Sequence, residues 1–392
     1  MEVNFIKTQS TENNPLWLTR SEKIKLGAFY TPSSIVLKAL ELVKDFKDKA
    51  VLLDPAGGCG AFIEQFEDWN YRVADIDLQA VEYLKKRFDP NRVFWADVLN
   101  NINRSKYNIK ESDFLVVVGN PPYNDWTSLY KKGEKGSFSM DKDVFDRDLG
   151  IAFLKAMNKL RADVICILHP MSYLIKRANF ERLNVFFKNY TLKRAFVFPS
   201  YLFKETSNNV SFPIVLAFYV RDQKGFDWND LLNFSFEFLN NSNTFKLLEI
   251  ETTDGFINKY PRQQISPIGL YFITFRDINS LLRNRDFFDK PSTNTIPITW
   301  ENFPLYAYLV ALKYYILGKG AKKFWFYGNF SPLIDKKNFF ILQNAFVYYT
   351  LTKSKTIPEE IKKQALEKFK WADTLEVVNN YFKKLFIYVE KD

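Results

Sequence analysis

Asn120, Pro121, Pro122 and Tyr123 form the segment of this chain with the clearest chemical potential. They follow Gly119 and an apolar run, Phe114 to Val118, that reads as a buried strand with a sharp stop. Asn120 offers a side-chain carbonyl, and Pro121 offers a backbone carbonyl without a backbone N–H. Successive prolines fix two φ angles, so both acceptors are held stiffly. Tyr123 adds a flat face for ring stacking, and Gly119 removes a side chain where a ligand must come close. Two acceptors aimed at the N–H bonds of an amino group on an aromatic ring pull its nitrogen towards a tetrahedral shape. That change frees the delocalised lone pair for attack, and the charge that develops meets fixed dipoles rather than a titrating base. A rigid turn carrying a surface tyrosine is the plain alternative.

Upstream lies a second cluster. An apolar strand, Val51 to Leu53, runs into Asp54-Pro55-Ala56-Gly57-Gly58-Cys59-Gly60 and then into a helix expected to start near Ala61. The glycines let the backbone pass close to a cofactor. Their spacing is not the dinucleotide fingerprint, and no P-loop Lys-Ser/Thr follows, so phosphate binding is disfavoured. A strand over Tyr71 to Ile76 carries Asp75, with Asp77 just beyond. An acid roughly 20 residues after a Gly-rich turn is the expected acceptor for ribose hydroxyls. A third short strand, Val93 to Ala96, ends at Asp97. These groups each follow a strand, which predicts an α/β sheet with its ligand at the carboxyl ends.

The Gly-rich segment, Asn-Pro-Pro-Tyr at 120–123 and Phe-Tyr-Thr-Pro at 29–32 resemble the motifs of gamma-class DNA adenine-N6 methyltransferases, the type II restriction-modification methylases of the Asn-Pro-Pro-Tyr family. The resemblance covers about Leu26 to Val220. It implies a Rossmann-like domain that binds S-adenosyl-L-methionine. On this resemblance Tyr30 and Thr31 close over the methionine part, and Asp54 stands near it with Ala56, Gly57, Gly58 and Gly60. Asp75 holds the ribose, Ile76 packs on the cofactor's adenine and Asp97 accepts its amino group. Val98 stands where the family often has an aromatic, and Asn120 also borders the cofactor. The target adenine is flipped from double-stranded DNA, its N6 held by Asn120 and Pro121 and its ring stacked on Tyr123. Phe203 is the candidate for the opposite ring face, with an ordinary core phenylalanine as the equal alternative. His169-Pro170-Met171-Ser172 resembles a wall of that base pocket, although the chain's single histidine reads as structural.

The implied role is site-specific modification alongside a cognate restriction endonuclease. Methylation of RNA or of a protein glutamine uses the same motif, but those enzymes usually lack a large C-terminal region. Cytosine-N4 enzymes usually carry Ser in place of Asn120. A catalytically inactive DNA-binding homologue is the rival from another class. A fused nuclease, suggested by Glu360-Ile361-Lys362, lacks a partner acid.

Other elements must position these groups. Thr31 is a good N-cap and Pro32 a good first residue for a helix striped with Ile35, Val36, Ala39, Leu40 and Val43. A helix is expected over Asp148 to Leu160 and another over Phe180 to Phe187. Strands are expected over Val164 to Leu168, Arg194 to Phe198 and Phe212 to Val220. Lys131 to Ser137 reads as a surface loop, and Arg221 to Asp230 as a linker. The expected division is an extension at 1–20, a catalytic domain at 21–222 and a mixed α+β target-recognition domain at 223–392. In the last, Lys319, Lys322 and Lys323 precede Phe324-Trp325-Phe326-Tyr327. Basic residues interleaved with aromatics suit phosphate contact and base stacking; an amphipathic strand with solvated lysines is the alternative. Arg262, Gln263 and Gln264 could read base edges. Asp373 and Glu376 suggest a cap for a helix striped with Val377, Val378, Tyr381, Phe382 and Leu385.

With 392 residues, 47% hydrophobic and 26% charged, the chain is long enough for two packed domains. A net charge of +10 favours a polyanionic partner. Cys59 and Cys166 fit reduced thiols of a cytoplasmic protein, and one histidine with two cysteines argues against a His/Cys metal site. No signal region or membrane-spanning run is read; the apolar stretch Tyr306 to Leu317 is interrupted by Lys313. A monomer is expected.

Overall fold

A computed structural model describes residues 31–123, 139–203, 211–241, 243–257, 266–371 and 375–389. Tyr30, the 131–137 loop, Arg262, Gln263, Gln264 and Asp373 lie outside the described residues. The chain divides into two compact units. The first takes the described residues up to Phe203 with Ile214–Phe245, and the second takes 211–213 with the described residues from Lys246 onward.

The first unit is built on a nine-stranded sheet. Its strands are β1 (Ala50–Asp54), β2 (Asn70–Asp75), β3 (Val93–Trp95), β4 (Phe114–Gly119), β5 (Val164–Pro170), β6 (Tyr190–Pro199), β7 (Pro213–Arg221), β8 (Phe236–Phe238) and β9 (Thr244–Phe245). Their order is β3-β2-β1-β4-β5-β7-β6-β8-β9. β1 pairs in parallel with both β2 and β4, and β4 pairs in parallel with β5. β7 enters antiparallel to β5, with Ile167 opposite Ala217. The near-continuous apolar text of β1 and β4 has its reason here, since central parallel strands are covered on both faces. All of β1 and Leu115–Gly119 of β4 are buried. Strand order reverses at β1, which opens a crevice at the carboxyl ends of β1 and β4.

Helix α1 (Ser33–Val43) buries Ile35, Val36, Ala39 and Val43. Helix α2 (Leu78–Arg87) is capped by Asp77, and α3 (Leu149–Lys159) by Asp148, each side chain accepting N–H groups of the first turn. The helix expected near Ala61 is only a single 3-10 turn, Ile63–Gln65. The helix expected over Phe180 to Phe187 is two short ones, α5 (Arg177–Arg182) and α6 (Asn184–Asn189), after α4 (Ser172–Ile175). β5 runs on through His169 and Pro170, two residues past its expected end. The stretch expected to open the second domain, around Asn233 to Leu239, supplies α7 (Trp228–Asn233) and β8. β8 pairs in parallel with β6, so the sheet continues past the expected linker.

The second unit is mainly helical, with one two-stranded ribbon among the described residues, β10 (Tyr271–Ile273) against β11 (Thr295–Pro297). Its helices are α8 (Ile278–Arg283), α9 (Phe303–Lys319), α10 (Lys336–Lys353), α11 (Glu359–Lys368) and α12 (Glu376–Leu385). Aromatic rings join them: Tyr308 of α9 meets Phe346 of α10 at 4.9 Å and Phe382 of α12 at 5.6 Å. Lys313, which interrupts the apolar run of α9, is buried and donates to Asp286 at 2.9 Å. No helix among the described residues is long and apolar enough to cross a membrane.

One correction concerns the basic-aromatic stretch. Phe324, Trp325, Phe326 and Tyr327 are all buried in a 3-10 turn that fills the core of this unit. Tyr327 packs on Phe386 at 4.9 Å, and Phe326 on Tyr388 at 5.4 Å. Burying four large rings contributes several kcal/mol to this unit, at about 1.5–3 kcal/mol each, so they are not stacking platforms for bases. Lys319 and Lys322 remain exposed and Lys323 half-buried.

Arg104 was not singled out by sequence, yet it locks the base of β4 and β5. Its buried guanidinium donates to the carbonyls of Lys110, Glu111 and Asp113 ahead of β4, and to those of Leu160 and Arg161 ahead of β5. Arg104→Met leaves those carbonyls short of donors and should destabilise the first unit by on the order of 3 kcal/mol. Denaturant unfolding checks this, and a midpoint within about 0.5 kcal/mol of wild type would contradict it.

Candidate active site

Asp54 ends β1 and is 1% exposed. Its Oδ1 accepts the Ala56 N–H at 3.2 Å. Burial, reinforced by the nearby Asp75 carboxylate, pushes its pKa up to about 7 despite that bond. The turn beyond is tied to β2: Gly57 N–H donates to Ala74 O at 2.9 Å, and Gly58 N–H to Asp75 Oδ2 at 2.8 Å. A side chain at Gly57 would strike Val73, its Cβ falling 2.2 Å from a methyl group. Gly58 is left-handed (φ 51°) with open space where a Cβ would stand. Asp75 receives the Asp77 N–H on Oδ1 at 2.9 Å, and burial raises its pKa. Among the described residues no cation offsets the raised pKa of either carboxylate.

Ile76 and Leu78, just beyond β2, are exposed, and so is Trp95 at 64%. The Trp95 indole donates to Ile76 O at 2.9 Å, so the ring is held rather than loose. Sequence reasoning missed this Trp; an aromatic two residues before Asp97 at a strand end was the available signal. Asp97 is half-buried, accepts the Leu99 N–H at 2.8 Å, and has its pKa raised by burial. Val98 is buried, whereas Ile76 and Trp95 are exposed.

Asn120 emerges from the end of β4. The approach to Asp54 is close: a Cβ on Gly119 (φ 153°) would lie 2.9 Å from Asp54 Oδ1. Glycine is what allows β4 to carry Asn120 past that carboxylate. Asn120 Nδ2 donates to Thr31 Oγ1 at 3.2 Å, and its Oδ1 accepts the Tyr123 hydroxyl. Thr31 therefore does not cap α1; Pro32 takes the N-cap position with no side-chain cap bond. Pro121 is buried, Pro122 half-buried, and burial raises the Tyr123 hydroxyl's pKa. The structure thus brings Thr31, Asp54, Asn120 and Tyr123 together, with Asp75 reached through the Gly-rich turn. Phe203 is 2% exposed with its ring 6.1 Å from that of Phe198, as a core residue is.

His169 donates from Nδ1 to Pro170 O and accepts the Tyr219 hydroxyl on Nε2, at 3.0 and 2.8 Å. It stacks on Tyr173 at 5.3 Å, and burial drops its pKa to about 4. It is a neutral structural imidazole at any ordinary pH. Tyr173 in turn donates to Asp148, the cap of α3. Asp146 is buried, yet Arg182 and Lys155 (3.0 Å) outweigh that burial and hold its carboxyl below the usual range. Among the described residues no three His, Cys, Asp or Glu side chains gather as a metal site.

The strand order, the antiparallel β7 and the Gly-rich turn at the end of β1 make a methyltransferase-like α/β fold with a central, mostly parallel sheet. Residues 27–203 match the sequence model of the Eco57I restriction-modification methylase family. The chain is similar to the type II methyltransferase M.HincII of Haemophilus influenzae, at 28% identity over 118 residues, 30% of this chain and 21% of that protein. M.HindII of Haemophilus influenzae Rd is likewise 28% identical, over 30% of this chain and 20% of its own length. The matched region thus spans about a fifth of these curated relatives. Among solved structures, the type I restriction-modification methyltransferase subunit of Streptococcus thermophilus is 15% identical with a TM-score of 0.36, covering 56% of this chain and 50% of that one. The type IIL restriction-modification enzyme MmeI, solved with DNA, is 12% identical with a TM-score of 0.40, covering 68% and 47%.

Two glycines can be told apart by stability. Gly58→Ala incurs only the left-handed penalty, roughly 1–2 kcal/mol. Gly119→Ala also drives a methyl group into Asp54 and should cost on the order of 1–3 kcal/mol more. Denaturant melts of the two variants are expected in that order, and the reverse order would refute the close approach of β4 to Asp54.

Proposed function

We propose that this chain transfers a methyl group from S-adenosyl-L-methionine to adenine N6 in double-stranded DNA, as the modification partner of a restriction endonuclease. The observation that carries the reading is the Asn120 amide, held at the end of β4 beside Asp54 with its carbonyl engaged by a hydroxyl donor. That carbonyl can accept from an amino group in place of the tyrosine.

The donor set suits the cofactor. Asp54 is a buried and Asp75 a half-buried carboxylate, both with raised pKa and no offsetting cation among the described residues, a setting for a cationic, hydroxyl-bearing ligand. Asp54 would face the methionine end, Asp75 the ribose, and Ile76 and Asp97 the adenine. When bound, the cofactor supplies an electrophilic methyl group on a sulfonium. The chain does the rest by placement. Asn120 Oδ1 and Pro121 O accept the two N–H bonds of the target amino group, and Tyr123 stacks on the base once it has left the duplex. Dipoles set before reaction meet the developing charge, and the net charge of +10 favours a phosphate backbone. Tyr30 would join Thr31 over the cofactor. Lys319, Lys322 and Lys323 stay candidates for phosphate contact. A cytoplasmic monomer completes the proposal.

The test is incubation with labelled S-adenosylmethionine and unmethylated genomic DNA, followed by nucleoside analysis. N6-methyladenine in DNA is the expected product. Asn120→Ala should lower the rate by roughly a hundredfold or more; label confined to RNA or protein, or a fully active Asn120→Ala, overturns the proposal.

Cofactor affinity should depend on pH. The folded chain holds the Asp54 proton more tightly than the unfolded chain does, with a pKa of about 7 against 3.8. That group's contribution to stability therefore falls as pH rises from about 4 through 7. A cationic ligand favours the carboxylate, so affinity should rise with pH over the same upper range and binding should release a proton. Calorimetry from pH 6 to 8 in buffers of different ionisation heat checks the sign; Asp54→Asn should flatten the slope.

A further inference from the structure

We infer that Thr31 is a positioning residue for the transfer step and acts through the Asn120 amide; the inference rests on the function proposed above. Thr31 stands 89 positions before Asn120, is 3% exposed, and accepts the Asn120 Nδ2–H at 3.2 Å. Its hydroxyl is not spent on the helix it precedes, because α1 has no side-chain cap bond.

An asparagine amide has ends of opposite character: one oxygen that only accepts and one nitrogen that only donates. A target amino group brings donors, so the carbonyl must face it and the NH2 must face elsewhere. In that orientation the NH2 needs an acceptor away from the base, since an unmet buried donor costs about 1–3 kcal/mol. Thr31 Oγ1 is that acceptor. The Tyr123 hydroxyl, already bonded to Oδ1, marks the opposite end as the one open to an incoming donor. Thr31 is carried by the start of α1, which is anchored through Ile35, Val36 and Ala39, so its oxygen is a fixed point rather than a mobile one. The segment ahead of α1 thus sets the direction of the catalytic carbonyl in addition to any contact it makes with the cofactor.

The experiment compares wild type, Thr31→Val and Thr31→Ser. It measures thermal midpoint, S-adenosylmethionine affinity by calorimetry, and single-turnover methylation of DNA carrying the site that the wild-type chain modifies. Valine keeps the volume and removes the acceptor; serine restores the acceptor. At saturating S-adenosylmethionine, Thr31→Val should slow transfer by roughly tenfold to a hundredfold and be rescued by Thr31→Ser. Thr31→Ala, which adds no bulk, replaces the valine variant should the latter fail to fold. Transfer at the wild-type rate overturns the inference, as does a loss that only tracks weakened cofactor binding. A wild-type chain that leaves DNA adenine unlabelled overturns the functional reading, and the inference with it, a failure visible without any variant.

Discussion

The site depends on one close approach, that of the β4 backbone to the buried carboxylate of Asp54. Central parallel strands bring their carboxyl ends to one edge, and the reversal of strand order at β1 leaves room there. Only a residue without a Cβ can follow β4 at that point, because the first side-chain atom would meet Asp54 Oδ1. Gly119 therefore sets where Asn120 begins, and the two prolines after it set where the chain goes next. Thr31 and Tyr123 then hold the amide from its two ends.

Electrostatics separate the site from its supports. Asp146 is as buried as many core residues, but Arg182 and Lys155 surround it and keep it charged. Among the described residues the hydrogen-bond donors to Asp54 and Asp75 are backbone N–H groups, so burial dominates and their pKa values rise. A carboxylate buried without an opposite charge carries a desolvation cost, which protonation relieves. His169, although within the stretch that resembles a wall of a base pocket, has both ring nitrogens satisfied and no charge to offer.

The abundance of aromatic residues misleads on a first reading. With 39 Phe and 21 Tyr in the chain, rings next to lysines invite thoughts of base stacking. In the second unit they instead form the core that joins α9, α10 and α12, a region with little β-structure to share the task. Two rings outside that core, Trp95 and Tyr123, are each held by a hydrogen bond, to Ile76 O and to Asn120 Oδ1.

Local chemistry is what the sequence determined by itself. Asn120-Pro121-Pro122-Tyr123, the Gly57-Gly58-Gly60 turn and the acids Asp75 and Asp97 were legible as candidates because the roles expected of them rest on residue type and short spacing. The strands that carry them were legible because buried parallel strands write continuous apolar runs. The capping of α3 by Asp148 was readable for the same local reason. Whatever requires distant segments to meet was decided by tertiary structure alone. Thr31 looked like a helix cap, yet its hydroxyl serves Asn120, a partner that no local pattern announces. Arg104 carries no local signal, yet it gathers carbonyls from two segments around the starts of β4 and β5. The short strands β8 and β9 joined the first sheet, and Phe324 to Tyr327 turned inward, because burial is set by which neighbours arrive. A sequence records each group's capacity to bond, whereas the fold chooses the partner that satisfies it.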